Sequence, residues 1–120
     1  MDPQATAGRA LGRRIGLAVV AGDSMLPTLR PGDRLLVTYG VRVRAGRVVV
    51  ARFADGTLVV KRATGRRGSG WWLRGDNPDP QVGVDSRHRG PVPDAAVLGV
   101  VRGRLWPRPR RLGAFADVKG

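Results

Sequence analysis

The chain has 120 residues, 42% of them hydrophobic and only 5% aromatic, so it supports one compact domain with a core of Val, Leu and Ala. It has no Cys, no Glu and a single His, which excludes disulfides and thiolate metal sites and argues against a His/carboxylate metal cluster; no cofactor is expected. The formal net charge of +13 suits an anionic partner such as nucleic acid, a membrane surface or an acidic polypeptide, but the arginines are spread along the whole chain, so a compositional habit explains it equally.

Residues 1–14 are small, polar and basic, and are read as a loose lead-in. "IGLAVVA" (15–21) is a strand-length apolar run, far below the roughly 20 residues of a membrane span, and too minimal for a signal peptide. "GDSMLPTLRPGD" (22–33) is rich in turn residues. "DRLLVTYG" (33–40), "GRVVVARFA" (46–54) and "TLVVKRAT" (57–64) are Val- and Leu-rich runs bounded by Gly, Asp or Arg-Gly, as strands are. The Asp-Gly of "ADGT" (54–57) predicts a hairpin between the last two. "RRGSG" (66–70) predicts a turn into "WWLRG" (71–75), where adjacent tryptophans should place one ring in the core and one outside. "DNPDPQVGVDSRHRGPVP" (76–93) predicts a long loop, and "AAVLGVVRGRLW" (95–106) a final strand. "PRPRR" then leaves the fold. The expectation is a mostly β protein with little helix: a single catalytic domain over 15–106, and a basic C-terminal tail over 107–120.

Two residues stand out chemically. Of 22 basic residues 20 are Arg, and one of the two Lys, Lys61, lies inside the apolar run "LVVKRA". Arg keeps its proton at any usable pH, whereas a desolvated Lys does not. Val59 and Ala63, two residues away on either side, share its strand face and should lower its pKa. The second residue is Ser24, one of three serines. A serine hydroxyl needs a base to become a nucleophile. His88, with Asp85 nearby, is a weak candidate, because it stands between two arginines that oppose its protonation. Neutral Lys61 is the better one. Without catalysis, Ser24 caps a turn and Lys61 is a strand lysine whose amine reaches solvent.

Three ordered boxes, "GDSMLPTL" followed by "PGD", then "VVKR", then "RGDNPDPQVGVDSR", resemble the type I signal peptidase family, which includes the mitochondrial inner-membrane peptidases. The resemblance runs from about Gly22 to Val101 and implies a small β scaffold of the signal-peptidase and LexA-like kind. By position, it implies Ser24 as nucleophile and Lys61 as general base. Gly22, Asp23, Met25 and Pro27 fall in the nucleophile loop, where the Ser24 backbone N–H serves the oxyanion. Gly75, Asp76, Asn77, Asp85, Ser86 and Arg87 match the third box and imply structural support. Gly22 replaces a hydroxyl that some members use for the oxyanion. Gly83 stands where many members have a serine that orients the lysine, so either another hydroxyl, that of Ser86 or Thr64, takes that task or the dyad is less constrained. The resemblance brings an N-terminal membrane anchor with it in other members, and a protein without that anchor is the expectation here.

The resemblance therefore implies a Ser-Lys serine endopeptidase that removes an N-terminal leader or propeptide from a protein precursor bound as an extended strand. "DRLLVTYG", "GRVVVARF" and "GWWLRGDN" look similar to the subgroup that matures nickel-type superoxide dismutase. A cytoplasmic protein is expected, with peripheral contact to an anionic membrane compatible with its charge. The alternatives are a LexA-like autoprotease domain, or a catalytically dead basic module binding nucleic acid or anionic membrane. Nucleic acid is the less favoured partner.

Overall fold

The computed structural model describes residues 5–6, 14–79, 81–83 and 89–113. Nine antiparallel strands form one curled sheet: β1 (Ala5–Thr6), β2 (Ile15–Val19), β3 (Arg34–Tyr39), β4 (Val48–Arg52), β5 (Leu58–Arg67), β6 (Gly70–Arg74), β7 (Val92–Pro93), β8 (Val97–Trp106) and β9 (Arg110–Arg111). Their order is β1-β2-β3-β8-β4-β5-β6-β7, with β9 beside β8. A short 3-10 turn, Asp94–Ala96, leads into β8. Among the described residues, no helix is long and apolar enough to cross a membrane.

Burial explains the curl. β2 alternates, with Gly16 and Ala18 inward and Ile15, Leu17 and Val19 outward, as expected of a strand covered on one side. β4 is "VVVAR", and its first four residues are all buried. Val48 and Val50 join one core cluster with Met25, Leu29, Leu35, Leu58 and Val60. Val49 and Ala51 join a second cluster with Phe53, Ala63, Trp71 and Leu73. A continuous apolar run thus marks the strand that the sheet wraps around. The expected hairpin at 54–57 joins β4 to β5, with Val49 opposite Lys61 and Arg52 opposite Leu58. Trp71 is buried while Trp72 is half-buried, as the alternation required.

The chain ends depart from the sequence reading. Ala5–Thr6, inside the supposed lead-in, pairs with β2. The "PRPRR" segment does not leave the fold either. Arg110 and Arg111 pair with Arg104 and Gly103, and Leu112 is 2% exposed in the first core cluster. The reason is that β8 outruns its neighbour. β4 stops pairing at Val97–Val100, so the same β8 edge is open at Gly103–Arg104 and the chain turns back to fill it.

Candidate active site

The stretch between β2 and β3 is a closed loop. Its neck is a backbone pair: Val20 N–H donates to the Asp33 carbonyl at 2.9 Å, and Gly32 N–H to the Val20 carbonyl at 2.8 Å. Gly32 has φ +90°, a conformation only Gly takes readily. Asp33, 3% exposed, accepts from Arg30 N–H at 2.9 Å and from Arg104 at 3.3 Å. Met25 and Leu29, each 1% exposed, pin the loop to the core, and each burial contributes about 2 kcal/mol. A helical turn between them is closed by Leu29 N–H on the Met25 carbonyl at 2.9 Å. Gly22 (φ +76°), Asp23 and Pro27 are exposed, and the Leu26–Pro27 peptide is cis. Ser24, half-buried, stands between the exposed and anchored parts of the loop.

The third box grips this loop from behind. Asn77 N–H donates to the Ser24 carbonyl at 2.9 Å, and Asn77 Nδ2 to the Asp23 carbonyl at 3.0 Å. Gly75 packs its bare Cα against the Ser24 carbonyl, where a Cβ would collide with backbone. Asp76 accepts from Thr28 Oγ1 at 2.6 Å and from Arg62 Nε and NH2 at 2.9 and 2.6 Å. Arg62 is 1% exposed and also donates to the Gly46 carbonyl at 2.8 Å. The sequence reading missed both Arg62 and Thr28. The available signal was strand alternation: Arg62 follows Lys61 in a strand apolar on both faces, so it too had to be buried and answered. Asp85, Ser86, Arg87 and the rejected His88 lie outside the described residues.

Lys61, 3% exposed, stands mid-strand in β5. A Cβ built on Gly83 (φ +71°) would lie 2.8 Å from Ser24 Cβ, 3.7 Å from Ser24 Oγ and 3.1 Å from Lys61 Nζ. Hydroxyl and amine therefore both approach one point, beside a residue with no side chain. Thr64, one proposed support for the lysine, instead donates its hydroxyl to the Trp72 carbonyl at 3.2 Å, across the β5–β6 ladder.

A cleft of about 290 Å³ opens over this point. One wall is the segment 20–24 and the other is 57–61, with Phe53, Gly83 and Arg89 completing the lining. Arg89 lies 5.1 Å over the Phe53 ring and pairs with Asp55 at 2.8 Å. The Thr57 backbone N–H, and secondarily Arg89, hold the Asp55 carboxyl below the usual carboxylate range. β6 pairs with β5 only from Arg62 onward. Leu58–Lys61 therefore has β4 on one edge and the cleft on the other. Ser24's own N–H makes no hydrogen bond among the described residues.

A curled antiparallel sheet presenting a serine loop against a buried lysine, beside a trough lined by two stretches of backbone, has the architecture of a small all-β peptidase. Residues 8–92 match the Peptidase S24-like family, and the chain belongs to it. It is also 31% identical over 129 aligned residues to mitochondrial inner membrane protease subunit 1 of Xenopus tropicalis, an alignment spanning 86% of this chain and 74% of that protein.

Proposed function

We propose that the protein is a serine endopeptidase that removes an N-terminal leader from a protein precursor, using Ser24 as nucleophile and Lys61 as general base. The observation that carries this reading is the approach of Ser24 Oγ and Lys61 Nζ to one point beside Gly83, on the floor of a cleft. Burial favours the uncharged amine, because an ammonium ion there loses hydration.

Neutral Lys61 takes the hydroxyl proton as Ser24 Oγ bonds to the scissile carbonyl carbon. The oxyanion is held by backbone N–H groups, with that of Ser24 the first candidate. The C–N bond breaks as Lys61 returns the proton to the leaving amine, and water then releases the acyl group from Ser24. Among the described residues no strand pairs Leu58–Val60 opposite β4, and this supports docking of the substrate as an added strand there.

The relative's name, a protease subunit, supports the peptidase reading. The likeness to the subgroup that matures nickel-type superoxide dismutase makes that precursor the first substrate to try. The test is incubation with leader-bearing precursors and intact mass before and after. The expected result is a precursor shortened at its N-terminus by the parent and left whole by Ser24→Ala and Lys61→Ala. Near-full activity of either variant overturns the dyad. A Ser24-dependent loss of mass from the protein itself would instead favour the autoprotease alternative.

A further inference from the structure

Gly40 (φ +68°) turns the chain out of β3, and residues 41–47 run on to β4 through a turn in which Arg47 N–H donates to the Arg44 carbonyl at 3.3 Å. Val100 and Arg102 lie two apart on β8, across the register shift at which Val101 faces Val37 and Gly103 faces Leu36. Together Val41, Arg42, Arg44, Arg47, Val100 and Arg102 line a cavity of about 460 Å³. Among the described residues its lining includes no carboxylate, and it shares no residue with the cleft over Ser24.

Six of the described arginines are answered by an acid or a ring. Arg62 has Asp76, Arg66 has Asp94, Arg89 has Asp55 and Arg104 has Asp33, while Arg34 and Arg67 lie over Trp106 and Trp72. Among the described residues, Arg42, Arg44 and Arg102 pair with no carboxylate and stack on no ring. Arg102, which lines the cavity, gives its Nε to Thr38 Oγ1 at 2.8 Å, a bond that restrains its guanidinium. Converging guanidinium ions repel one another unless an anion lies between them. Their planar forks match the paired oxygens of phosphate better than any other common anion.

We propose that this cavity is a binding site for a phosphate-bearing ligand, remote from the peptidase cleft. Its volume admits a linear polyphosphate or a phospholipid headgroup, and both sources offer the same oxygens to the same arginines.

The test must separate a built site from the general pull of a +13 chain. Arg42→Ala/Arg44→Ala removes two cavity arginines, whereas Arg108→Ala/Arg110→Ala removes two equally exposed arginines elsewhere. Tripolyphosphate binding is measured by titration calorimetry, and vesicle binding by sedimentation with phosphatidylglycerol mixed into phosphatidylcholine. The parent should bind at least one probe saturably, and tripolyphosphate at one per chain. The Arg42/Arg44 variant should weaken that binding more than tenfold and the Arg108/Arg110 variant less than twofold. Tripolyphosphate binding identifies a free phosphate ligand, and binding to vesicles alone identifies a headgroup. Equal losses in the two variants, or no saturable binding to either probe, overturn the proposal. Thermal unfolding of both variants checks that the fold is kept.

Discussion

Replacing Asp76 by Ala tests what holds the serine loop to the sheet. Asp76 takes three hydrogen bonds: two from Arg62, which is 1% exposed, and one from Thr28 of the serine loop. Arg62 cannot shed its proton, so Asp76→Ala leaves a buried cation that keeps its bond to the Gly46 carbonyl but has lost its carboxylate. Breaking one side of a buried ion pair costs about 3–5 kcal/mol, and the orphaned Thr28 hydroxyl adds about 1 kcal/mol. Out of a usual total of about 5–15 kcal/mol, this is a large fraction. With a urea slope of about 2 kcal/mol/M, the unfolding midpoint should fall by about 2 M. Adding Arg62→Met to Asp76→Ala removes the stranded charge and should recover about 2 kcal/mol. Urea unfolding followed by tryptophan fluorescence measures both. An Asp76→Ala loss below about 1 kcal/mol, or no recovery on adding Arg62→Met, would refute the claim that this ion pair is the clamp.

Lys61→Met should unfold within about 1 kcal/mol of the parent yet cleave precursor at least about a thousandfold more slowly; Lys61→Arg should be equally inactive, because a guanidinium does not act as a base near neutral pH. Gly83→Ala places a methyl 2.8 Å from Ser24 Cβ at φ +71°; cleavage should drop more than about tenfold, while unfolding shifts by about 1–2 kcal/mol, as separate rate and urea measurements would show. Arg66, hydrogen-bonded at 2.7 Å, holds the Asp94 carboxyl below its ordinary value of 3.8. The folded state then binds that proton less readily than the unfolded one, so the stability gained is present above the ordinary value and is lost as pH falls through the lower folded value. Asp94→Asn should flatten this part of the acid limb, read from urea midpoints at about pH 5 and about pH 3.

Most strands were legible because each is a Val/Leu run between turn residues; that β4 is buried on both faces, between the two core clusters, emerged only in the structure. The two ends were not. A two-residue strand such as β9 is created by an open edge on β8, and local sequence carries no trace of that vacancy. At the site, Ser24 and Lys61 could be singled out by residue type, since a lone lysine in an arginine-rich apolar strand is chemically conspicuous. Their meeting point beside Gly83 was indicated only by the resemblance, which set that glycine where a lysine-orienting serine stands in other members; from the residues alone a loop glycine reads as a turn. Arg62 was masked by composition: among 20 arginines, a buried one looks like all the others until its partner Asp76 is placed in space.

Among the described residues the edge of Leu58–Val60 opposite β4 takes no strand; it spans three residues, about 10 Å, and lies in a recess rather than on an open rim. A long flat rim would recruit the sheets of neighbouring molecules. A short sunken one admits only a single thread, because a strand still flanked by its own partners is too broad to enter. A substrate docked there as the proposed added strand would therefore be selected by conformation, a loosened segment entering before any side chain is inspected.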